Sequence, residues 1–332
     1  MEVGYMDRVV SIVLVYILLA ISVLVAAWRS GRIQFGEITM RDVVLSRWDA
    51  DGADKAGGGV MKRWGFRILL AFRVVCVLFF WFIVNDLIVL PATSSFCGIP
   101  AGETERKCYL LHGLARFTTF TTWSWLLLGV YFHLAVIATM VAMRTRPSST
   151  RRGRAGAFPF LLWILYESVF SVSLLVCIVV EAVLVPSLKR EIARTGGSSS
   201  TWNDENAGDE LQSFSSEERL KAFYSRAVFS MHNVNVLMML IELLMNRFRF
   251  NASHSAFVVL LFGVPYWLFS VYWFRLTGVY YYFFIDHRKP IAWIGVTATM
   301  IATQSFFFLG QALSSLLKAP RTAKPISNKK LS

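Results

Sequence analysis

Histidine and cysteine are scarce in this chain, five and four among 332 residues. No two cysteines form a C-x-x-C pair, so the sequence offers no zinc-finger spacing and leads to the expectation of no metal and no cofactor. Acidic side chains are also few, 21 against 34 lysines and arginines. No internal repeat is visible, which argues against an inverted-repeat transporter. No polar stretch is long enough to hide a separate soluble domain.

Apolar sequence fills the space instead. The chain is 55% hydrophobic and 15% aromatic, with a mean hydropathy of +0.52, well outside the range of soluble globular proteins. Seven stretches are long enough to cross about 30 Å of hydrocarbon at helical rise. They are Val9–Trp28, Ile68–Leu90, Phe117–Met143, Phe158–Val185, Arg226–Asn246, Ala256–Phe274 and Ala292–Leu317. Lipid offers no partner to an open strand, so each is expected to be helical. The expected fold is an all-α, polytopic transmembrane bundle in three parts: 1–61, an anchor span and flexible linker; 62–318, a six-span core; and 319–332, a basic disordered tail.

The net charge of +13 is distributed as a topology signal. Basic residues crowd alternate loops: Arg29 to Arg67, Arg144 to Arg154, Arg247 with Arg249, and Lys318 onward. The positive-inside rule makes these loops cytosolic, with the N-terminus outside or lumenal and the C-terminus cytosolic. The expected partners are membrane lipids rather than nucleic acid. The leader MEVGYMDR is not positively charged and its apolar run is long, so a retained anchor is expected rather than a cleaved signal. Residues 37–48 have the form of an interfacial helix, and 51–60 that of a flexible linker. The segment from Lys189 to Tyr224 is polar and expected to be mobile. Asn251-Ala252-Ser253 has glycosylation-acceptor form but falls on the cytosolic side. Cys76 and Cys177 lie in spans as packing residues, whereas Cys97 and Cys108 share an outer loop and are expected to form a disulfide.

His232 and Asn235 stand one helical turn apart in an oily run, with Glu242 two turns further on. Ionisable side chains at membrane depth cost about 2.5–3.5 kcal/mol each on insertion scales, so they meet partners or do chemistry. His232 is six residues inside Arg226, about 9 Å deep, and Thr121 is four residues inside Phe117, about 6 Å deep, on the same side. A threonine hydroxyl needs a base to become a nucleophile, and neutral histidine is the usual one. Asn235 shares a face with His232 and can orient the ring or donate to an oxyanion. A competing reading makes His232 and Asn235 interhelical glue and Thr121 a threonine bonded back to its own turn, and Thr118, Thr119 and Thr122 are nearby rivals for its role. Arg73 and Glu242 fall at the same depth and are expected to form a structural ion pair. Asp86, Glu167 and Glu181 are further intramembrane acids, and a proton or cation path through the acids is a weaker alternative. Asp286, in the loop before the last span, faces the side of Thr121 and His232 as a supporting candidate or as a solvated loop acid.

Three segments together resemble the androgen-induced-gene and rolling-stone group of polytopic membrane proteins and its plant relatives. They are Thr121-x-Trp123-Ser124-Trp125 ending in Tyr131-Phe132, His232-x-x-Asn235 with Ile241-Glu242, and Tyr282-Phe283-Phe284-Ile285-Asp286. The resemblance covers roughly Lys62 to Lys318. It implies a six-span core, and for the members that hydrolyse fatty acid esters of hydroxy fatty acids it implies Thr121 as nucleophile and His232 as base. Phe283 stands where the group has proline, Asn235 follows the plant and rolling-stone pattern, and the first span has no counterpart. The expectation is a membrane-embedded hydrolase of a hydrophobic, long-chain acyl ester. The rolling-stone branch, associated with cell fusion, keeps a non-catalytic organising protein open, and the span number keeps a seven-helix receptor or a transporter open.

Overall fold

A computed structural model describes residues 13–15, 17–26, 59–90, 95–100, 102–105, 107–111, 113–144, 157–195, 216–286, 288–289 and 291–318. Six helices in it are long and apolar enough to cross a membrane, which makes this an all-α, multi-pass membrane protein. Helix α1 is Gly59–Val89 and α2 is Phe120–Arg144. Helix α3 runs from Ala157–Val179 through a π turn, Val180–Leu184, into Val185–Thr195. A short α4, Ser216–Phe223, precedes α5, which comprises Arg226–Phe229, the π turn Ser230–Val234 and Asn235–Met245. Helix α6 joins Ser255–Val258, the π turn Val259–Gly263 and Val264–Thr277, and α7 is Ala292–Leu317.

Of the expected first span, residues 13–15 and 17–26 are helical, and its ends lie outside the described residues. The same holds for residues 37–48, most of the Gly-rich linker and the basic tail. The other helices differ from expectation mainly in length. Helix α1 starts at Gly59, well before Ile68, because Met61, Lys62 and Arg63 are good helix formers that carry the helix out past the apolar zone. Helix α3 continues past Val185 to Thr195, and α4 takes up part of the segment expected to be mobile. That extension is amphipathic: Val185 and Leu188 are buried, and it packs on α4.

Helix α3 is the centre of the bundle, packing on α2, α5, the first turn of α6, and α7. Its buried Ser168, Ser171 and Ser173 let neighbouring backbones approach closely. Outward faces stay apolar, with Val75 and Leu78 of α1 among the most exposed, as lipid contact requires and water would not favour.

One end of the bundle carries an antiparallel hairpin, β1 (Ser95–Gly98) and β2 (Lys107–Leu110). The hairpin sits against the end of α6, where Gly278 takes φ +70° and lies so close that a Cβ would meet the Ile99 carbonyl oxygen at 2.2 Å. Its register sets Cys97 directly opposite Cys108. Paired residues on antiparallel strands have a Cα separation that a disulfide spans. Alkylation of the denatured, unreduced protein is therefore expected to modify Cys76 and Cys177 only, with Cys97 and Cys108 reacting after reduction. Four reactive thiols without reduction would exclude the bond.

Candidate functional site

A 3-10 turn, Gly113–Thr118, leads into α2 at the hairpin end and brings four threonines into a short space. Three of them bond back to nearby carbonyls, as threonines in apolar helices tend to. Thr118 Oγ1 donates to the Ala115 oxygen, Thr119 Oγ1 to the Arg116 oxygen, and Thr122 Oγ1 to that same Arg116 oxygen. Thr121 behaves differently. Its Oγ1 lies 3.2 Å from His232 Nε2, and both residues are buried.

The ring reaches that position from α5, whose first turn is capped by Ser225 accepting from the Val228 N–H. His232 stands inside the π turn Ser230–Val234, where the extra residue per turn rotates the following side chains relative to a regular helix. Asn233, on the same turn, donates to Glu181 on the π turn of α3 at 3.0 Å and accepts from the Cys177 thiol at 3.3 Å. Two π turns are thus clamped together beside the histidine. Phe223 of α4 covers the ring, with centroids 6.0 Å apart.

Two chambers meet at Thr121. One, of about 770 Å³ including open space, is apolar and lies among α3, α6 and α7, bounded by side chains such as Val176, Phe262, Trp267, Val296 and Met300. The other, of about 900 Å³ including open space, is a more polar vestibule bounded by Arg116, Thr119, His232, Phe223 and Tyr281. Thr121, Leu184 and Tyr282 border both. All three π turns supply wall residues: Val180 and Leu184, Met231 and His232, Phe262 and Gly263.

Tyr282, in the aromatic loop before the last span, is a close neighbour of the central threonine. Burial raises its phenol above the ordinary value, and hydrogen bonding to Thr121 and to the Phe120 and Thr121 backbone opposes that rise. Arg116 was also missed. Its Nη1 donates to the Leu87 oxygen at 3.1 Å and its Nε to the Leu111 oxygen at 3.2 Å, tying the end of α1 to the start of α2. Burial holds this guanidinium below its ordinary pKa, and it forms part of the vestibule wall.

The remaining sequence candidates lie elsewhere. Asn235 is fully buried, but its side-chain oxygen accepts from the Val236 N–H, its amide nitrogen has no partner, and it borders neither chamber. Asp286 is bound by Arg288 at 2.9 and 3.0 Å, with Lys289 3.9 Å away. Burial raises its carboxyl, but the bonds from Arg288 outweigh that and leave it below the ordinary range. Among the described residues no carboxylate bonds His232.

Arg73 and Glu242 sit deeper, away from both chambers. Arg73 Nη2 is 2.5 Å from Glu242 Oε1, and both side chains are fully buried. Tyr131 donates to the same carboxylate at 2.8 Å and Asn246 at 3.2 Å, while Arg73 Nη1 donates to Thr139 at 2.6 Å. Lys318 donates to Asn246 at 2.9 Å, linking α7 to the cluster. A second buried pair joins Glu167 Oε2 to His254 Nδ1 at 2.8 Å, with the Asn251 N–H donating to Oε1 at 2.7 Å. The remaining intramembrane acid, Asp86, pairs with Arg226 at 2.7 Å.

No family model matches the chain, and no curated protein or solved structure is similar to it.

Removing one member of a buried ion pair leaves the other charge uncompensated, at about 3–5 kcal/mol. Glu242→Ala is expected to lower unfolding stability in detergent by that order, whereas the double variant Arg73→Met, Glu242→Leu should recover most of the loss. Equal losses in the single and double variants would contradict a dominant pairing term.

Proposed function

We propose that this protein is a membrane-embedded hydrolase of long-chain acyl esters, akin to the hydrolytic members of the androgen-induced-gene and rolling-stone group. The observation that supports it is the 3.2 Å contact of His232 with Thr121 at the meeting point of an apolar and a polar chamber. An acyl ester has the matching shape: a hydrocarbon tail for the apolar chamber, and a polar carbonyl that comes to rest beside the threonine.

The chemistry runs as acyl transfer. As Thr121 Oγ1 bonds to the ester carbonyl carbon, its proton passes to His232 Nε2. The ester C–O bond then breaks, and the departing alkoxide takes that proton to leave as an alcohol. Water from the vestibule attacks the acyl-threonine as His232 takes its proton; the bond from the acyl carbon to Oγ1 then breaks, His232 returns the proton to Oγ1, and the carboxylic acid departs. The Tyr282 hydroxyl, close to Thr121, supplies a hydrogen bond to the transient oxyanion, a role Asn235 is less well placed to fill. By the placement of basic loops, the site opens to the outer or lumenal side.

Hydrolysis of a panel of long-chain esters by the purified protein tests this reading. Thr121→Ala and His232→Ala are each expected to lower the rate by about 10²–10⁴-fold with the fold intact, the range typical for loss of a positioned general base or its nucleophile. Thr121→Ser should retain turnover. An unchanged rate in either alanine variant would remove that residue from the mechanism, and a panel without turnover would favour a non-catalytic organising protein.

A further inference from the structure

The described part of the N-terminal helix touches the bundle along one stripe. Val13 and Ala20 are buried and Ile17 is partly buried, a spacing of four and then three residues, whereas Leu14 and Leu18 are 52% and 61% exposed. Val13 packs in one cluster with Val259 and Val264 of α6 and with Ala292, Val296 and Met300 of α7. Ile17, Trp267 and Ile285 pack against the same cluster. Val296, Met300, Trp267 and Ile285 are also walls of the apolar chamber. A single layer of side chains therefore separates this helix from the cavity.

Helix α7 packs on the first turn and π turn of α6, where Gln304 Nε2 donates to the Ser255 oxygen at 3.0 Å. Beyond that point the chamber borders both helices, with Gly263 and Ser270 of α6 and Val296 and Met300 of α7 in its wall, and a Cβ on Gly263 would meet the Met300 sulfur at 3.6 Å. The π turn Val259–Gly263 lies at this seam, and π turns recur at functional sites. A methionine wall is adaptable, because its unbranched side chain has several accessible rotamers.

We propose that the N-terminal helix is a lateral gate: the acyl tail of a bilayer lipid passes between α6 and α7 into the apolar chamber when the Val13–Ile17 stripe lifts from the seam. The proposal rests on the reading of the chamber as an acyl-chain site and is independent of whether Thr121 performs chemistry. By this route the tail stays among apolar side chains throughout and does not pass Arg116, Thr119 and His232 of the vestibule.

The test uses the full chain in lipid nanodiscs with a long-chain fatty acyl probe bearing a diazirine at its tail. After photolysis, labelled peptides are mapped by mass spectrometry and the rate of labelling is followed for the segments holding Trp267 and Met300. Val13→Ala with Ile17→Ala is expected to raise that rate roughly tenfold, a shift of about 1.4 kcal/mol in gate opening. Leu14→Ala with Leu18→Ala, on the lipid-facing side of the same helix, is expected to leave it unchanged. Equal rates in wild type and the Val13/Ile17 variant would overturn the gate, as would equal acceleration by both helix variants. Absence of label from these segments in wild type would overturn both the gate and the acyl chamber. Loss of ester turnover with labelling intact would bear on the chemistry alone.

Discussion

Hydrocarbon gives a polar side chain no solvent partner, and this constraint orders the bundle. Among the described residues, the charges buried within the spans, Arg73, Glu167 and Glu242, each meet a partner on another element. Arg73 on α1, Tyr131 and Thr139 on α2, and Glu242 on α5 close one cluster, to which Lys318 adds the end of α7. Glu167 on α3 holds the turn before α6 through His254 and the Asn251 N–H. With α1, α2 and α5 locked together by charge, the depth at which α2 and α5 face one another is set. The contact of Thr121 with His232 follows from that alignment. Buried ion pairs are weak sources of net stability, and their more plain contribution here is register.

The same constraint explains what the sequence made legible. Apolar run length and the alternation of basic loops defined six helices of the core, since both follow from the thickness of the bilayer and the cost of moving charge across it. The common depth of Arg73 and Glu242, and of Thr121 and His232, could be counted along the chain because helical rise is fixed. Asn235 was harder: sharing a helical face with His232 presumes regular winding, and the π turn between Ser230 and Val234 breaks that assumption. Two of the three π turns do leave a sequence trace. Pro186 and Pro265 each follow a π turn by two residues, as expected when a proline cannot donate to the preceding ladder. The turn that carries His232 has no such mark. Tyr282 is named in the third motif but given no site role, because an interfacial tyrosine and a site tyrosine have the same local sequence, and only the return of the loop over α2 distinguishes them.

Function in this protein is a matter of boundaries. Thr121 stands where an apolar chamber meets a more polar vestibule, and under the proposed function a substrate with a hydrocarbon tail would lie with its polar bond beside that hydroxyl. His232 lacks a carboxylate partner among the described residues, and its orientation depends on packing under Phe223 and on the Asn233–Glu181 clamp beside it. Asp286 contributes to the loop instead, where its bonds to Arg288 brace the segment that carries Tyr282.

The most direct measurement is the position of a covalent adduct. The detergent-purified protein would be treated with a long-chain fluorophosphonate, digested and sequenced by tandem mass spectrometry. The account requires the phosphonyl group on Thr121, with the adduct lost in His232→Ala although Thr121 is still present. An adduct on Ser124, on any other hydroxyl or on none would contradict an activated Thr121.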